Sequence, residues 1–172
     1  MPAVTRAAVA LGSNIGHRAG HLADAVTAIA ALEGTTVVAV SDVYETDPAG
    51  GPQQGAYLNA VVIIDTGLVP TALLAACHAI EQHAGRQRVQ HWGPRTLDLD
   101  VLVHGDTVST GAIDLPHPRA HERAFVLVPW AQVASDMYVP GHGRVGDLAH
   151  SVGNDGVRWA GAADLITTGV LA

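Results

Sequence analysis

The chain has 172 residues, 48% of them hydrophobic, with 9 basic and 16 acidic residues and a formal net charge of -7. This length and composition fit one self-supporting globular domain, and a single cysteine, Cys77, excludes a disulfide framework and a Cys-rich metal site. The acidic balance excludes broad nucleic-acid binding, and no stretch reaches the ~18 consecutive apolar residues of a membrane span.

The first predicted element is a strand over 7–12, AAVALG. Its apolar run is too short for a spanning helix and stops at Asn14, so it reads as a strand, not a signal peptide, and a cytoplasmic location is expected. Over 19–32, Leu22, Val26, Ile29 and Ala30 recur at helical spacing in an Ala-rich stretch, and Gly34 ends the helix. The β-branched run 35–45 predicts a second strand. The next eleven residues, TDPAGGPQQGA, hold three glycines and two prolines and read as an irregular loop. A third strand is expected over 57–66. Pro70 and Thr71 open a second helix, with Leu73, Leu74, Cys77, Ile80 and Glu81 on or beside one face and Gly85 at its close. In that run Cys77 reads as a small buried hydrophobe. A basic loop over 86–95 leads into a fourth strand, 97–103. Short edge strands at 107–108 and 113–115, a short helix at 120–128 and an irregular piece at 133–138 follow. From about 141 a loosely held tail is expected, with one small helix at 145–150.

The order strand, helix, strand, strand, helix, strand predicts an α+β fold. It is the split βαβ pattern of ferredoxin-like domains, a mostly antiparallel sheet with helices packed on one face. No linker divides the chain, so 1–172 reads as a single domain.

The sharpest local signal is Leu97-Asp98-Leu99-Asp100. Strand alternation points Asp98 and Asp100 to one face and Leu97, Leu99 and Val101 to the core. Two adjacent carboxylates on one face repel unless a cation lies between them, and Mg ions prefer carboxylate and phosphate oxygens. An isolated Asp-x-Asp is more often simply solvated. Here Arg86, Arg88 and Arg95 crowd the same short stretch of an acidic chain, together with Trp92 and the Gly93-Pro94 turn. Guanidinium groups beside paired carboxylates suit a phosphate chain, although a structural ion-pair network is the plainer alternative.

A second cluster runs from Pro116-His117-Pro118 to Arg123-Ala124-Phe125. His117 is held between two prolines. There is no HExxH motif and no Cys/His ligand spacing, which argues against zinc. The chain contains no lysine, so any phosphate chemistry must use arginine, histidine and metal. That excludes the ordinary P-loop and protein-kinase designs. The loop Gly12-Ser13-Asn14-Ile15-Gly16 matches neither glycine-rich phosphate motif.

Taken together, ALGSNIG, SDVYETDPAG, QGAYLNAVV, IEQHAGRQR, HWGPRTLDLDVLV and LPHPRAHERAFVLVPW resemble the 6-hydroxymethyl-7,8-dihydropterin pyrophosphokinase family over nearly the whole chain to about residue 140. The resemblance implies a single catalytic domain that moves diphosphate from ATP onto the hydroxymethyl group of the reduced pterin, releasing AMP, a step in tetrahydrofolate biosynthesis. It implies two Mg ions on Asp98 and Asp100, with Arg88 and Arg95 in the catalytic set. Glu81, His78, Arg86, Trp92, His117 and Arg123 match the nucleotide side, His78 standing where glutamine is frequent. Tyr57 and Phe125 match the aromatics that sandwich the pterin, Asn59 its hydrogen-bonding partner, and Thr46 and Pro48 the backbone that completes recognition. ATP and the reduced pterin are the expected partners of a monomer, with no nucleic acid and no membrane. The residues alone leave two other readings open. One is an Mg-dependent phosphotransferase that makes ADP, and the other is a non-catalytic nucleotide-binding module.

Overall fold

The central strands are apolar at both parities, and this decides the layering. In the computed structural model, which describes residues 3–48, 55–85 and 96–167, Leu58 to Ile64 are all buried. A strand buried at every position must be covered on both faces. The elements are β1 (Thr5–Ser13), α1 (Arg18–Ala30), β2 (Thr35–Val40), β3 (Val43–Thr46), β4 (Tyr57–Thr66), α2 (Pro70–His83) and β5 (Asp98–His104). A 3-10 turn at Ala120–Glu122 precedes α3 (Ala124–Ala134). The hairpin β6 (Tyr138–Val139) and β7 (Gly143–Arg144), then α4 (Val145–Val152), β8 (Val157–Gly161) and α5 (Asp164–Thr167) complete the described residues.

The main sheet runs β5-β1-β4-β3-β8, with β2 also paired to β4, and every pairing is antiparallel. β4 lies between β1 and β2, and β1 lies between β4 and β5, which is the split βαβ arrangement expected from the element order. One core packs Val9, Leu11, Val62, Leu99 and Val101 under α1 and α2, through Leu22, Ile29, Leu73 and Cys77. The second core is on the opposite face, where Ala8, Val61, Ile63 and Leu102 meet Val126, Leu127 and Trp130 of α3 and Val145 of α4. Helices therefore cover both faces, not the one face expected. The C-terminal third supplies the second layer, and its weak periodicity concealed this.

Three boundaries also differ from expectation. The strand over 35–45 is broken at Ser41-Asp42. The buried Ser41 Oγ accepts Val61 N–H at 2.9 Å and donates to Asp42 O at 2.7 Å, so a side chain takes part in the ladder there. Gln132 Oε1 on α3 accepts Asp42 N–H at 2.8 Å and Tyr44 O–H at 3.2 Å. The helix expected at 120–128 begins as the 3-10 turn and then continues through Pro129 to Ala134. The tail is not loosely held over its described part: β8 extends the sheet beside β3 and α5 packs on α1. Asp42 fastens it, accepting Trp159 Nε1–H at 3.1 Å and Ala163 N–H at 3.0 Å. Of the two short edge strands, Ser109 and Leu115 form a single bridge.

Candidate active site

Register places the candidate residues in one row across the sheet. Asp98 is opposite Gly12, Gly12 opposite Asn59, Asn59 opposite Tyr44 and Tyr44 opposite Trp159. Asp100 is one step along, opposite Ala10. Leu99 and Val101 enter the α1/α2 core, so Asp98 and Asp100 face the α3 side, as alternation requires.

At the β5 end, Asp98, Asp100, His117 and Arg123 come together. His117 Nε2 is 4.0 Å from Asp100 Oδ1, with side-chain exposures of 22% and 49%. The backbone N–H of His117 donates to Leu102 O at 2.8 Å, which pins this segment to β5. Arg119 N–H donates to His117 Nδ1 at 3.2 Å. That bond requires an unprotonated Nδ1, so the neutral ring carries its proton on Nε2, facing Asp100. Burial pushes the imidazole below its ordinary range; Asp100 opposes this, and Arg123 and Arg119 reinforce it. Burial also lowers the Arg123 guanidinium, helped by Arg119 and opposed by Asp100, Glu122 and Asp98. Arg123 thus lies within electrostatic reach of both aspartates, and it sits 5.5 Å from the centroid of the Phe125 ring.

Toward β3 the site becomes neutral. Asn59 is buried, and its Nδ2 donates to Thr46 Oγ1 at 2.9 Å and to Tyr44 O at 3.4 Å. Gly12 has no side chain between Asp98 and Asn59. A Cβ there would stand 3.6 Å from both Asn59 Oδ1 and Tyr57 Cδ1. The row therefore has a floor of bare backbone, flanked by an amide and an aromatic ring. Phe125 rises from the start of α3 on the same face, half-buried against the second core. Pro48 lies two residues beyond the end of β3 and is half-buried.

Glu81 is 4% exposed, and its Oε2 accepts Leu99 N–H at 2.8 Å. Among the described residues β5 is the last strand of the sheet, and this carboxylate covers an outward N–H between the two aspartates. His78, on the same helix, is exposed. Burial, with Glu81 and Asp100 adding to it, pushes the Cys77 thiol up to about 12, which makes it the inert core residue expected. Arg86, Arg88, Trp92 and Arg95 lie outside the described residues.

Among the described residues, no three His, Cys, Asp or Glu side chains gather to hold a metal. Two partly exposed carboxylates on one strand face fit an Mg ion that completes its shell with water and phosphate oxygens rather than with a protein cage. Several residues that shape the site left no local signal in the sequence. Gln132, Asp42, Arg18, Glu45 and Arg158 act through contacts 27 to 121 residues apart.

Comparison with known proteins decides the family. The profile of the 7,8-dihydro-6-hydroxymethylpterin-pyrophosphokinase (HPPK) family matches residues 8–135. The chain belongs to the HPPK family. Similar proteins include the 2-amino-4-hydroxy-6-hydroxymethyldihydropteridine pyrophosphokinases of Methylorubrum extorquens and Pseudomonas aeruginosa. The first is 50% identical over 139 residues, 80% of this chain and 88% of the relative. The second is 39% identical over 156 residues, 90% of this chain and 96% of the relative. Among solved structures, Plasmodium falciparum HPPK-DHPS A437G with pteroate matches with a TM-score of 0.70 at 12% identity, covering 87% of this chain and 41% of that one. At that identity the likeness supports the HPPK fold alone.

Proposed function

We propose that this chain is the pyrophosphokinase its family describes, moving diphosphate from ATP to the hydroxymethyl group of 6-hydroxymethyl-7,8-dihydropterin and releasing AMP in folate biosynthesis. The observation that carries the reading is the single cross-sheet row. It has carboxylates, a histidine and an arginine at the β5 end, and a neutral slot framed by Tyr57, Asn59 and Thr46 at the other. A polyanion and a flat, uncharged ring need those two environments, side by side.

Asp98 and Asp100 would hold Mg, two ions on the family's pattern. Bound there, Mg neutralises phosphate charge and lowers the pKa of an attached hydroxyl. Arg123 and the Nε2–H of His117 present donors where phosphate oxygens approach, with Arg88 and Arg95 assigned to the same task and Glu81, His78, Arg86 and Trp92 to the nucleotide. Asn59, ordered by Thr46, offers the pterin its amide, and Tyr57 and Phe125 enclose the ring. Thr46 and Pro48 supply the adjoining backbone. No protein nucleophile is required. We read the molecule as a single-domain cytoplasmic monomer acting on two small molecules, without nucleic acid; no helix among the described residues is long and apolar enough to cross a membrane.

The test is a product assay with purified protein, Mg-ATP and the pterin, separating nucleotides by chromatography. AMP formed in step with diphosphorylated pterin, and lost in Asp98→Ala, is expected. ADP in place of AMP would reject diphosphate transfer, and no turnover by folded protein would favour a binding module.

A further inference from the structure

The chain leaves the sheet at the end of β3, at Asp47-Pro48, and returns at Gly55-Ala56 to begin β4. These two stems carry Thr46, Pro48 and Tyr57. A continuous chain of polar contacts joins them on the α1 side of the sheet. Asp47 Oδ1 accepts from Arg158 NH2 at 3.2 Å, and the same nitrogen donates to Glu45 Oε1 at 3.3 Å. The other Glu45 oxygen, Oε2, accepts from Arg18 NH1 at 2.9 Å, and that nitrogen donates to Ala56 O at 2.8 Å. Asn14 Nδ2 adds a bond to Gly55 O at 3.2 Å.

Each link comes from a different element. Arg18 opens α1, Glu45 is in β3, and Arg158 is in β8, directly opposite Glu45 in the ladder. Glu45 and Asp47 are two residues apart and meet at the same Arg158 nitrogen, so without that cation they would repel. β8 lies beyond the residues that the family profile matches.

We propose that Arg158 and Arg18 are positioning residues for the pterin, forming with Glu45 an ionic brace that fixes the separation of the two stems. The brace touches no substrate. It acts through Thr46 and Tyr57, and it therefore rests on the placement of the pterin proposed above. Partly exposed ion pairs contribute little to stability, so its effect falls on geometry at the stems and not on the fold.

The experiment is steady-state kinetics on the full chain for Arg158→Gln, Arg158→Lys, Arg18→Gln and Asp47→Asn, varying each substrate at saturating levels of the other. Arg158→Gln should raise the pterin KM by about tenfold, as misplaced binding groups do, with the ATP KM and kcat within about twofold. Arg158→Lys should restore most of the loss. Added salt should raise the pterin KM of the unaltered chain toward that of Arg158→Gln while leaving the variant flat. A pterin KM unchanged in Arg158→Gln and in Arg18→Gln overturns the brace, and so does an equal loss in every parameter accompanied by a fall in Tm. Asn59→Ala separates the two readings. If it leaves pterin binding intact, the placement itself is wrong; if it weakens binding while Arg158→Gln does not, the brace alone fails.

Discussion

Gly12 stands where a side chain would be tolerated by the fold but, on the proposed placement, not by the pterin. Its added Cβ would meet Asn59 and Tyr57 at ordinary contact distance, 3.6 Å. Gly12→Ala should therefore leave Tm nearly unchanged while raising the pterin KM about tenfold, since one carbon in a close-fitting pocket is worth ~1–3 kcal/mol. Thermal unfolding and kinetics on the same sample check both halves, and a Tm loss without a KM change would put the pterin elsewhere. Nothing in the local sequence marks Gly12 for this role. Its function depends on what β4 and β5 place to either side of it. Asp98 and Asp100 are the opposite case, because strand alternation alone put both on one face.

At the scale of elements, β5 carries the acidic pair and depends on α2 to close its edge. The bond from Leu99 N–H to Glu81 is buried. Glu81→Ala would leave that N–H without a partner, and a loss of ~1–3 kcal/mol is expected, read as a lower urea midpoint at constant slope. An unchanged midpoint would show that water replaces the carboxylate. The strands and the two long helices were legible because Leu22, Val26 and Ile29 recur at helical spacing and Ala60 to Ile64 form an unbroken apolar run. The break at Ser41 was not, because Val37, Val40, Val43 and Tyr44 all favour strand and the interruption comes from a hydroxyl bonded twenty residues away. α3 was read short because a proline inside an apolar run ordinarily stops a helix. Here the run continues because Val126, Leu127 and Trp130 bury themselves on the sheet.

Across the whole molecule, the ion-paired carboxylates add only a small, solvent-screened acid dependence, because they are partly exposed. A hydrogen bond from Arg18 holds Glu45 below its ordinary range, and a hydrogen bond from Arg6 does the same for Asp65 across β1 and β4. Their folded pKa values lie below the unfolded ones, so this stability is fully present above the unfolded values, about 4, and is lost as pH falls through the folded values. Tm should be flat from neutral pH to about 5, and these pairs should add only a slight fall below about 4. Arg6→Gln, which removes the partner of Asp65, should make the descent shallower, and an identical curve would assign the acid loss to other groups. The second helical layer was hidden because its contacts belong to the assembled sheet, with Gln132 of α3 bonded to Asp42 and Tyr44, 90 and 88 residues away along the chain.

The row from Asp98 through Gly12 to Asn59 spans two strand spacings, roughly 9–10 Å. That length is set by backbone hydrogen bonds and not by any side chain. It works as a ruler between the carboxylates proposed to hold Mg and the amide proposed to meet the ring. Substitutions can alter what each end grips, but they leave the graduation unchanged. Only a slip of register would reset it, and a one-residue slip of β5 would turn Asp98 and Asp100 to the wrong face together. On the proposed placement, discrimination between acceptors by length is thus an inherited property of the sheet, which the surrounding residues can refine and cannot rewrite.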